Sequence, residues 1–457
     1  MFAKEIYRER REILKKTAGK GLLLFLGNDE SGMNFEDNTY RYRQDSTFLY
    51  YFGLSFAGLN AVIDIDNDKE IIFADELTID HIVWMGTQPT LREKAQRVGV
   101  EETRPSAELK KVLDKAAREG RGIHYLPAYR AEHHIKLQNL LGIKPGEEQP
   151  STDFIKAVVA QRLIKSDIEI EELRRACDVT ADMHITAMKM LRPGMREYEV
   201  SAAVEAAAQK AGCFLSFPTI CSTHGQTLHN HSHTNIIREN DMLLLDAGAE
   251  TETGYAGDMS STICAGRTFT SRQRDILRLQ VESHRAAVNM LKPGVPFSQV
   301  HDKACSVIFD GLKAMNITKG DTAEAVRAGA HAMFFPCGLG HSMGMDVHDM
   351  ENLGEVWVGY DGQAKSTQFG RKSLRLARPL EKGYVLTIEP GIYFIPELID
   401  YWKAEGRFTD FINYDELEKW RDFGGLRNEE DYLITEEGAE RLGKYVPMTP
   451  EEIEALR

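Results

Sequence analysis

The sequence has few cysteines and none in a paired arrangement. Six cysteines occur in 457 residues, and no two of them form a Cys-x-x-Cys motif. This spacing excludes a small disulfide-bonded scaffold and a zinc module built on cysteine pairs. We therefore expect free thiols in a reducing compartment, which indicates a cytoplasmic protein.

Long apolar runs and an excess of positive charge are also missing. No window approaches 18 uncharged apolar residues, so no membrane-spanning helix is expected. Residues 1–16 are charged and lack the apolar stretch of a signal peptide. Because 70 acidic residues outnumber 56 basic ones and give a formal net charge of −14, nucleic acid and anionic membrane surfaces are excluded as expected partners.

Residues 1–162 alternate between helical and strand patterns. The chain is long for a single core, so two domains are expected, the first of them α/β. The aromatic-rich segment 40–53 is expected to lie in the core and end in a helix, or to reach a partner subunit. Helices are predicted over 5–16 and 107–118, and strands over 21–26, 61–65, 70–73 and 123–126, with a hairpin turn at 66–69.

Two long helices in the second part of the chain end in the same way. Ser166 or Asp167 is expected to cap the first helix, and the second begins near Ser271. Leu-x-Pro-Gly follows them at 191–194 and at 291–294. The repeat indicates an internal duplication, although Pro-Gly is also a common helix stop.

Between these helices, residues 246–258 read as a β-hairpin with an aspartate on each arm. Asp246 and Asp258 are 12 residues apart, and Gly254 lies near the tip, where a turn favours positive φ. We expect the two aspartates to lie directly opposite each other, with Cβ atoms roughly 5 Å apart on one face. Two carboxylates so close repel each other unless one or two divalent cations lie between them.

A histidine-rich loop precedes the hairpin. Either its histidines face solvent, or one of them contacts substrate or metal. The loop spans 219–234 and contains His224, His229, His231 and His233.

Further candidate ligands follow the hairpin. The glycine-rich segment 334–349 carries His341 and His348, and glycine lets the backbone approach another group closely. Glu389 ends an apolar strand, where a carboxylate is normally excluded or paired, and segment 424–435 places acids before another apolar strand. Hard oxygen ligands with a single imidazole suit Mn²⁺ better than a thiolate-binding metal.

Taken in order, these segments carry a family resemblance. The motifs D-x-G…G-Y-A-G-D, G-L-G-H-x-x-G-x-D-V-H-D, T-I-E-P-G-I-Y-F and G-G-L-R-x-E-x-D resemble the aminopeptidase P/prolidase family of dinuclear metallopeptidases, over residues 165–440. Segment 42–53 is similar to the family's N-terminal domain. The implied fold class is α/β (α+β), with a smaller N-terminal α/β domain in residues 1–162 and a pita-bread catalytic domain in residues 163–457.

The resemblance implies a set of metal ligands. Two divalent ions are expected, Mn²⁺ first, with Co²⁺ and Zn²⁺ as alternatives, and a metal-bridging hydroxide would be the nucleophile. Glu429 is preferred over Glu430 because the family spacing is Arg-x-Glu. Asp246 would hold one metal, Asp258 and Glu429 would bridge both, and His341 with Glu389 would complete the second.

The same resemblance implies roles for the remaining site residues. Glu389 would take and return a proton, His348 would steady the tetrahedral oxyanion, and His229 would contact the residue around proline. Arg427 is grouped with the substrate-binding residues. The implied substrates are peptides with proline second, whose Xaa–Pro bond lacks the N–H that an ordinary peptidase grips. A homodimer is also implied.

Substrate length is left open by the sequence. Arg375 lies 14 residues before Glu389, where prolidases bind the carboxylate of a dipeptide, and residues 395–423 resemble the prolidase insertion that crowds the site. The alternative for Arg375 is a surface position in a basic run. We predict an Xaa-Pro aminopeptidase, with an Xaa-Pro dipeptidase as the alternative. A non-catalytic pita-bread binding protein and a metal-free hydrolase of a small guanidino compound are disfavoured because all five ligand positions are filled.

Two features depart from the family pattern. Cys337 stands four residues before His341, where most relatives carry a histidine, so that contact is expected to be weakened or replaced. The spacing of 12 between the hairpin aspartates exceeds the usual 11, so we expect an extra residue in the turn or in a bulge.

Overall fold

The computed structural model describes residues 1–457 and divides them into two compact units. The first comprises residues 1–162 and 350–357, and the second residues 163–349 and 358–457. The sequence alone assigned segment 350–357 to the second domain. In the structure this segment groups with the first unit, where the ammonium group of Lys156 lies 4.9 Å from the ring centroid of Trp357.

The first unit alternates helices and strands. All the helices and strands that the sequence predicted here are present, within two residues at each end. Its elements are α1 (Lys4–Thr17), β1 (Leu22–Leu26), α2 (Ser46–Phe52), β2 (Asn60–Asp64), β3 (Lys69–Phe73), α3 (Ile79–Met85), α4 (Leu91–Gln96), β4 (Glu102–Arg104), α5 (Leu109–Arg118), β5 (Ile123–Tyr125), α6 (Ala131–Leu141) and α7 (Thr152–Leu163).

These strands form one mixed five-stranded sheet in the order β4-β3-β2-β1-β5. The hairpin β2–β3 is antiparallel, as the turn at 66–69 predicted, and Asp64 of β2 pairs with Lys69 of β3. The aromatic segment lies in the core: Phe48, Tyr51 and Phe52 of α2 have no exposed surface. Asp45 caps α2 by accepting a hydrogen bond from the Phe48 amide, and Gly53 ends it with φ +64°.

The second unit is built from four longer helices, several short ones and ten short strands. Its elements are α8 (Asp167–Met190), α9 (Glu197–Lys210), β6 (Phe214–Leu215), β7 (Ile220–Ser222), β8 (Met242–Ala247), β9 (Ala249–Glu250), β10 (Met259–Cys264), α10 (Ser271–Val288), α11 (Phe297–Ala314), α12 (Thr322–Ala328), β11 (Val385–Ile388), β12 (Gly391–Tyr393), α14 (Pro396–Ala404), α15 (Tyr414–Leu417), β13 (Gly425–Arg427), β14 (Glu430–Ile434), β15 (Ala439–Arg441) and α16 (Pro450–Ala455). Helix α13 (Glu355–Val358) lies in segment 350–357 of the first unit except for its last residue. Short 3-10 helices add Ala330–Met333, Arg371–Ser373 and Glu418–Trp420 to this unit, and Ser106–Glu108 and Glu351–Leu353 to the first.

Two three-stranded antiparallel sheets form the centre of this unit, in the orders β10-β8-β7 and β11-β14-β15. Ser260 of β10 bridges to Glu429, which lies between β13 and β14, so the chain just before β14 meets the first sheet. Two-stranded pairs β12–β13 and β6–β9 extend the framework. The ends of strands far apart in sequence therefore meet in one region.

The repeated Leu-x-Pro-Gly segments occupy equivalent positions. Each lies between two packed helices, α8 and α9 in one case and α10 and α11 in the other. Gly194 and Gly294 both have positive φ, of +92° and +84°, and both donate their amide to a distant carbonyl. Ser166 is the N-cap of α8, and Glu169 completes its capping box. Both Leu-x-Pro-Gly segments thus connect a packed pair of helices, and the internal duplication stays a prediction.

The hairpin register differs from the prediction. Asp246 pairs with Ser260, not with Asp258. Hydrogen bonds from Gly257 to Ala249 and from Thr251 to Tyr255 continue the register without a bulge, so the turn is centred at Thr253, one residue beyond the midpoint of the two aspartates. Because 258 and 260 share a face of a strand, the aspartates are diagonal neighbours on one face.

The structure also bears on the predictions made for the cysteines and for membrane-spanning helices. All six cysteines are free, and five of them are buried. Among the helices, none has both the length and the apolar character that crossing a lipid bilayer requires.

Candidate active site

One cavity of about 500 Å³ in the second unit is lined by every site residue that the sequence predicted. The residues come from the histidine-rich loop, the hairpin, the glycine-rich segment, the chain after the 3-10 helix Arg371–Ser373 and the ends of β11, β13 and β14. They are His229, Asp246, Asp258, His341, His348, Arg375, Glu389, Arg427 and Glu429.

Three of the predicted metal ligands converge at the floor of this cavity. One ligand atom from each of Asp258, His341 and Glu429 lies within 4.8 Å of the others, and all three residues are buried. The bridge between β10 and the start of β14 brings two of them together. The Glu429 amide donates to the Ser260 carbonyl at 3.0 Å, and the Ser260 hydroxyl donates to Glu429 Oε2 at 2.7 Å.

His341 presents one ring nitrogen to the carboxylates. Its Nδ1 lies 3.2 Å from the Ser342 carbonyl, which can only accept, so Nδ1 carries the proton and Nε2 a lone pair. Nε2 lies 3.4 Å from Asp258 Oδ2 and 3.9 Å from Glu389 Oε1. Burial holds the pKa of His341 well below its usual range, so the ring is neutral. A neutral imidazole fixed through its other nitrogen suits metal coordination.

The backbone before His341 requires glycine. A Cβ on Gly340 would lie 2.0 Å from the Thr387 carbonyl of β11, so no other residue fits. Because the backbone approaches β11 so closely, the His341 amide lies opposite that strand and donates a hydrogen bond to Thr387 Oγ1 at 3.1 Å. The glycine-rich segment thus fixes His341 against the strand that ends at Glu389.

The carboxylates of the site hold their protons unusually tightly. Burial raises the pKa of Asp258 and of Glu429 well above the usual range, and each is raised further by neighbouring carboxylates. Burial, with the nearby Asp246, raises the pKa of Glu389 to about 7. Divalent cations would remove this repulsion, and the donor set of carboxylates with one imidazole is chemically suited to hold them. The residues therefore fit a metal site.

Asp246 is held differently. Arg427 Nη2 donates to Asp246 Oδ2 at 2.5 Å, and the guanidinium also donates to Ser260 Oγ and to the Tyr393 hydroxyl, both at 2.9 Å. Asp246 Oδ1 is buried without a hydrogen-bond partner, as is Asp258 Oδ1. Both unpartnered oxygens belong to predicted ligands, which supports coordination there. Arg427 thus holds Asp246 and the two strands around it.

The histidine-rich loop divides between the cavity and the surface. His229 and His231 line the cavity, whereas His224 and His233 do not. Burial, together with Arg427, lowers the pKa of His229. On the opposite side, the ring of His348 packs edge-on against His341 with centroids 4.3 Å apart.

Arg375 lines the same cavity beside Phe369 and Ser373. Residues 395–423, expected to crowd the site, contribute no lining residue. They reach it indirectly, because Trp402 of α14 packs against Phe369 with ring centroids 5.8 Å apart.

Cys337, the departure from the family pattern, also lines the cavity. Burial raises the pKa of its thiol to about 12, so the group is a neutral thiol at physiological pH.

Sequence reasoning missed the residues that position the ligands. Asp431 accepts hydrogen bonds from the Asp258 amide and from the Cys177 thiol, both at 3.0 Å, and so fixes the backbone of a ligand. Lys165 and Asp349 form an ion pair of 2.9 Å with 1% exposure of each side chain. The available signal for Ser260 was a run of hydroxyl side chains in a strand that is otherwise apolar. Nothing local pointed to Lys165.

Two known protein families resemble this chain over most of its length. Residues 171–436 match the model of Metallopeptidase family M24, and residues 7–124 match that of the Aminopeptidase P, N-terminal domain. These matches account for the site-bearing unit and for most of the first unit.

Individual relatives extend along nearly the whole chain. The Xaa-Pro dipeptidase of Homo sapiens is 31% identical over 444 residues, covering 95% of this chain and 88% of that protein. The Xaa-Pro aminopeptidase of Escherichia coli K12 is 30% identical over 466 residues, covering 99% and 97%. Among solved structures, a zinc-substituted E. coli aminopeptidase P in complex with product superposes with a TM-score of 0.81 at 29% identity, covering 100% of this chain and 98% of that one.

Proposed function

The chain belongs to metallopeptidase family M24, and on that premise we propose that it hydrolyses the bond between an N-terminal residue and a following proline. The observation that carries the proposal is the convergence of nine predicted residues on one cavity, with three ligand atoms within 4.8 Å of one another. The relatives named as Xaa-Pro aminopeptidase and Xaa-Pro dipeptidase support the choice of bond.

Five residues would hold the metal: Asp246, Asp258, His341, Glu389 and Glu429. When bound there, two divalent ions would supply an activated water and polarise the scissile carbonyl. Their ligands carry four carboxylates, which balance the four positive charges of such a pair. The raised pKa of the buried carboxylates indicates that this charge balance is missing until cations bind.

Glu389 is the proposed proton carrier. Its carboxylate lies at the end of β11 in the cavity wall, close to both Asp246 and Arg427. It would take a proton from the attacking water and return it to the proline nitrogen of the departing product. The balance is complete, because the C–N bond breaks as the C–O bond forms and the proton moves from water to nitrogen.

The two cavity histidines would then act on the substrate. His348, packed against His341, would donate to the oxygen that becomes negative in the tetrahedral transition state. His229 would contact the backbone around proline. The Xaa–Pro bond presents no N–H to be gripped, so recognition relies on the shape of the cavity and on its apolar wall, to which Phe217 and Leu228 contribute.

We also propose the identity of the metal ion, the cellular location and the oligomeric state, which family membership alone does not specify. Mn²⁺ is the proposed ion because oxygen ligands outnumber the single imidazole. A cytoplasmic location is proposed because all six cysteines are free. A homodimer is proposed from the family resemblance, and light scattering of the purified protein tests it.

A second candidate function, dipeptide hydrolysis only, is favoured by one observation. Arg375 lies in the cavity wall beside Phe369 and Ser373, where a guanidinium could bind the carboxylate of an Xaa-Pro dipeptide. An enzyme that depends on this contact would discriminate against longer peptides, which place a peptide bond there.

The test is a pair of matched substrates. The kcat/KM of the Mn²⁺-loaded enzyme is measured on Xaa-Pro and on Xaa-Pro-Yaa with the same first residue, and each is compared with the amide-capped form. The aminopeptidase proposal expects turnover of both lengths. Turnover confined to the free dipeptide, with a loss of about 10- to 100-fold in Arg375→Ala, would establish the second candidate instead. No hydrolysis of either peptide would overturn both.

A further inference from the structure

A second buried cluster of metal-ligating side chains lies outside the cavity. His301 and Cys305 stand one turn apart on α11, and His331 lies on the 3-10 helix Ala330–Met333. One ligand atom from each residue lies within 4.8 Å of the others. His301 and Cys305 have 0% exposure and His331 has 1%, and none of the three lines the proposed active site.

The ring nitrogens of this cluster are largely without partners. His301 Nδ1 and both ring nitrogens of His331 are buried and make no hydrogen bond. The one interaction with these ring nitrogens is a weak one between His331 and the Val326 backbone. Buried polar groups in folded proteins are nearly always paired, so three unpartnered nitrogens around one thiol indicate that a ligand completes them.

The spacing fits a small ion. His301 Nε2 lies 3.5 Å from Cys305 Sγ, close to the separation of about 3.6 Å that nitrogen and sulfur ligands have around a tetrahedral zinc ion. The i, i+4 arrangement on a helix puts both residues on one face. The ligand atom of His331 lies within 4.8 Å of the other two, so it would have to approach by about 1 Å to reach the ligand separations of a tetrahedral ion.

The donor chemistry selects the ion. Two imidazoles and one thiol, without a carboxylate among them, suit Zn²⁺ or Co²⁺ and exclude the oxygen-seeking Mn²⁺ of the cavity. We propose that His301, Cys305 and His331 form a second, buried metal site for an ion of the Zn²⁺ class, separate from the catalytic centre. Binding would release the Cys305 proton to solvent, leaving a thiolate ligand.

Nearby charges are compatible with such an ion. The guanidinium of Arg371 lies close enough to act on both histidines, and it forms an ion pair with Asp302, the neighbour of His301. The carboxylate of Asp302 thus offsets the positive charge that would otherwise oppose a cation. With Asp302 paired to Arg371, the Cys305 thiolate would neutralise one of the two charges of the ion.

The test uses the full-length enzyme with its catalytic site filled by excess Mn²⁺. Co²⁺ is added as the probe, because a Co²⁺–thiolate bond gives a charge-transfer absorption that carboxylate and imidazole ligands do not. Bound Co²⁺ is counted by dialysis and elemental analysis. We expect the absorption band together with one Co²⁺ per chain that Mn²⁺ does not displace.

Variants assign the band to the cluster. Cys305→Ser and His331→Gln should each lose it and weaken Co²⁺ binding by more than about 100-fold, while hydrolysis of the peptide substrate by the Mn²⁺ enzyme persists. Cys264→Ser, a buried cysteine elsewhere, should keep the band. Cys337→Ser should also keep it, which separates the cluster from the thiol in the cavity.

Three outcomes would overturn the proposal. They are the absence of the band in the folded parent enzyme, its survival in both Cys305→Ser and His331→Gln, and its loss in Cys337→Ser alone. Circular dichroism establishes that each variant is folded, and His331→Gln gives the same test should Cys305→Ser fail to fold. Because the readout is metal binding, the result is independent of which peptide the enzyme cleaves.

Discussion

Two buried clusters in the same unit each bring three ligand atoms within 4.8 Å of one another, but their chemistry is opposite. In the catalytic cluster, Asp258 and Glu429 have carboxyl pKa values raised by burial and mutual repulsion. In the second cluster, His301 and His331 have imidazole pKa values lowered by burial. One cluster is a concentration of unneutralised acids and the other a set of neutral bases.

The difference shows how each cluster is related to its surroundings. The acids border a cavity of about 500 Å³. Arg427 donates a hydrogen bond to the carboxylate of Asp246, and Asp431 accepts one from the amide of Asp258. The histidines instead lie between α11 and a 3-10 helix, with the ring of Phe335 5.6 Å from that of His301. An open acidic site suits exchange of substrate and hard cations, whereas a sealed neutral site suits a permanently held ion.

The largest expected effect is that of Asp258→Asn. Loss of this carboxylate should lower kcat/KM by more than about 10⁴-fold, because the metal site that activates water is broken. Metal analysis should show fewer than two Mn²⁺ per chain. Asp275→Asn, at an exposed position on α10, is the matched control and should be unchanged. Two metals and full activity in the Asp258 variant would remove the distinction between the clusters.

Glu389→Gln should have the next largest effect. Without a proton carrier, kcat should fall by about 10³-fold at saturating Mn²⁺, with a smaller change in KM. Glu436→Gln, whose side chain is 81% exposed, serves as the control. A KM effect without a kcat effect would mean that Glu389 contributes to binding and not to proton transfer.

The same variant tests the acidic cluster by its pH dependence. In the folded, metal-free chain the pKa of Glu389 is raised from 4.5 to about 7, so the folded state keeps a proton that the unfolded chain releases. Its contribution to stability is therefore present below about pH 4.5 and is lost as pH rises to about 7, by on the order of 3 kcal/mol. Denaturant unfolding of the parent and Glu389→Gln, both metal-free, should show this difference. A constant difference across the pH range would contradict it.

The smallest change at neutral pH is expected for His331→Leu in metal-free protein. An apolar residue of similar volume should alter the unfolding free energy by less than about 1.5 kcal/mol. At acid pH the variant should be the more stable protein. The pKa of His331 is lowered from 6.5 to about 4, so between these values the unfolded parent chain takes up a proton that the folded chain does not. Parent stability should thus fall, relative to His331→Leu, as pH drops through this range. The same slope in both proteins would mean that His331 is not the group responsible.

Much of the fold was predictable from local patterns. Hydrophobic periodicity, the cap at Ser166 and the Pro-Gly stops gave helices and strands close to those observed, because each depends on neighbouring residues. Short elements such as α3 and β4 were not predicted. They have too few residues for a periodicity, and their positions depend on the sheet that β3 already forms.

The candidate site was also largely predictable, because each ligand is embedded in a local motif. Arg427 shows the limit of what the local motifs predicted. Its spacing from Glu429 was evident, but its three hydrogen bonds to Asp246, Ser260 and Tyr393 join segments up to 181 residues apart. The prediction of the hairpin register was wrong for a related reason. The position of the turn is set by Gly254 and by the hydrogen bonds of Thr251, and not by the midpoint between the two aspartates.

The sequence by itself determined the kinds of ligand, their order and the family to which they point, because those properties are carried by short runs of residues. Only the tertiary structure decided which atoms face one another. It opposed Asp246 to Ser260, placed Asp431 behind Asp258, and brought His331 to the helix face of Cys305. Such pairings depend on how distant segments pack, and a local pattern specifies the face of an element without specifying what will lie against it.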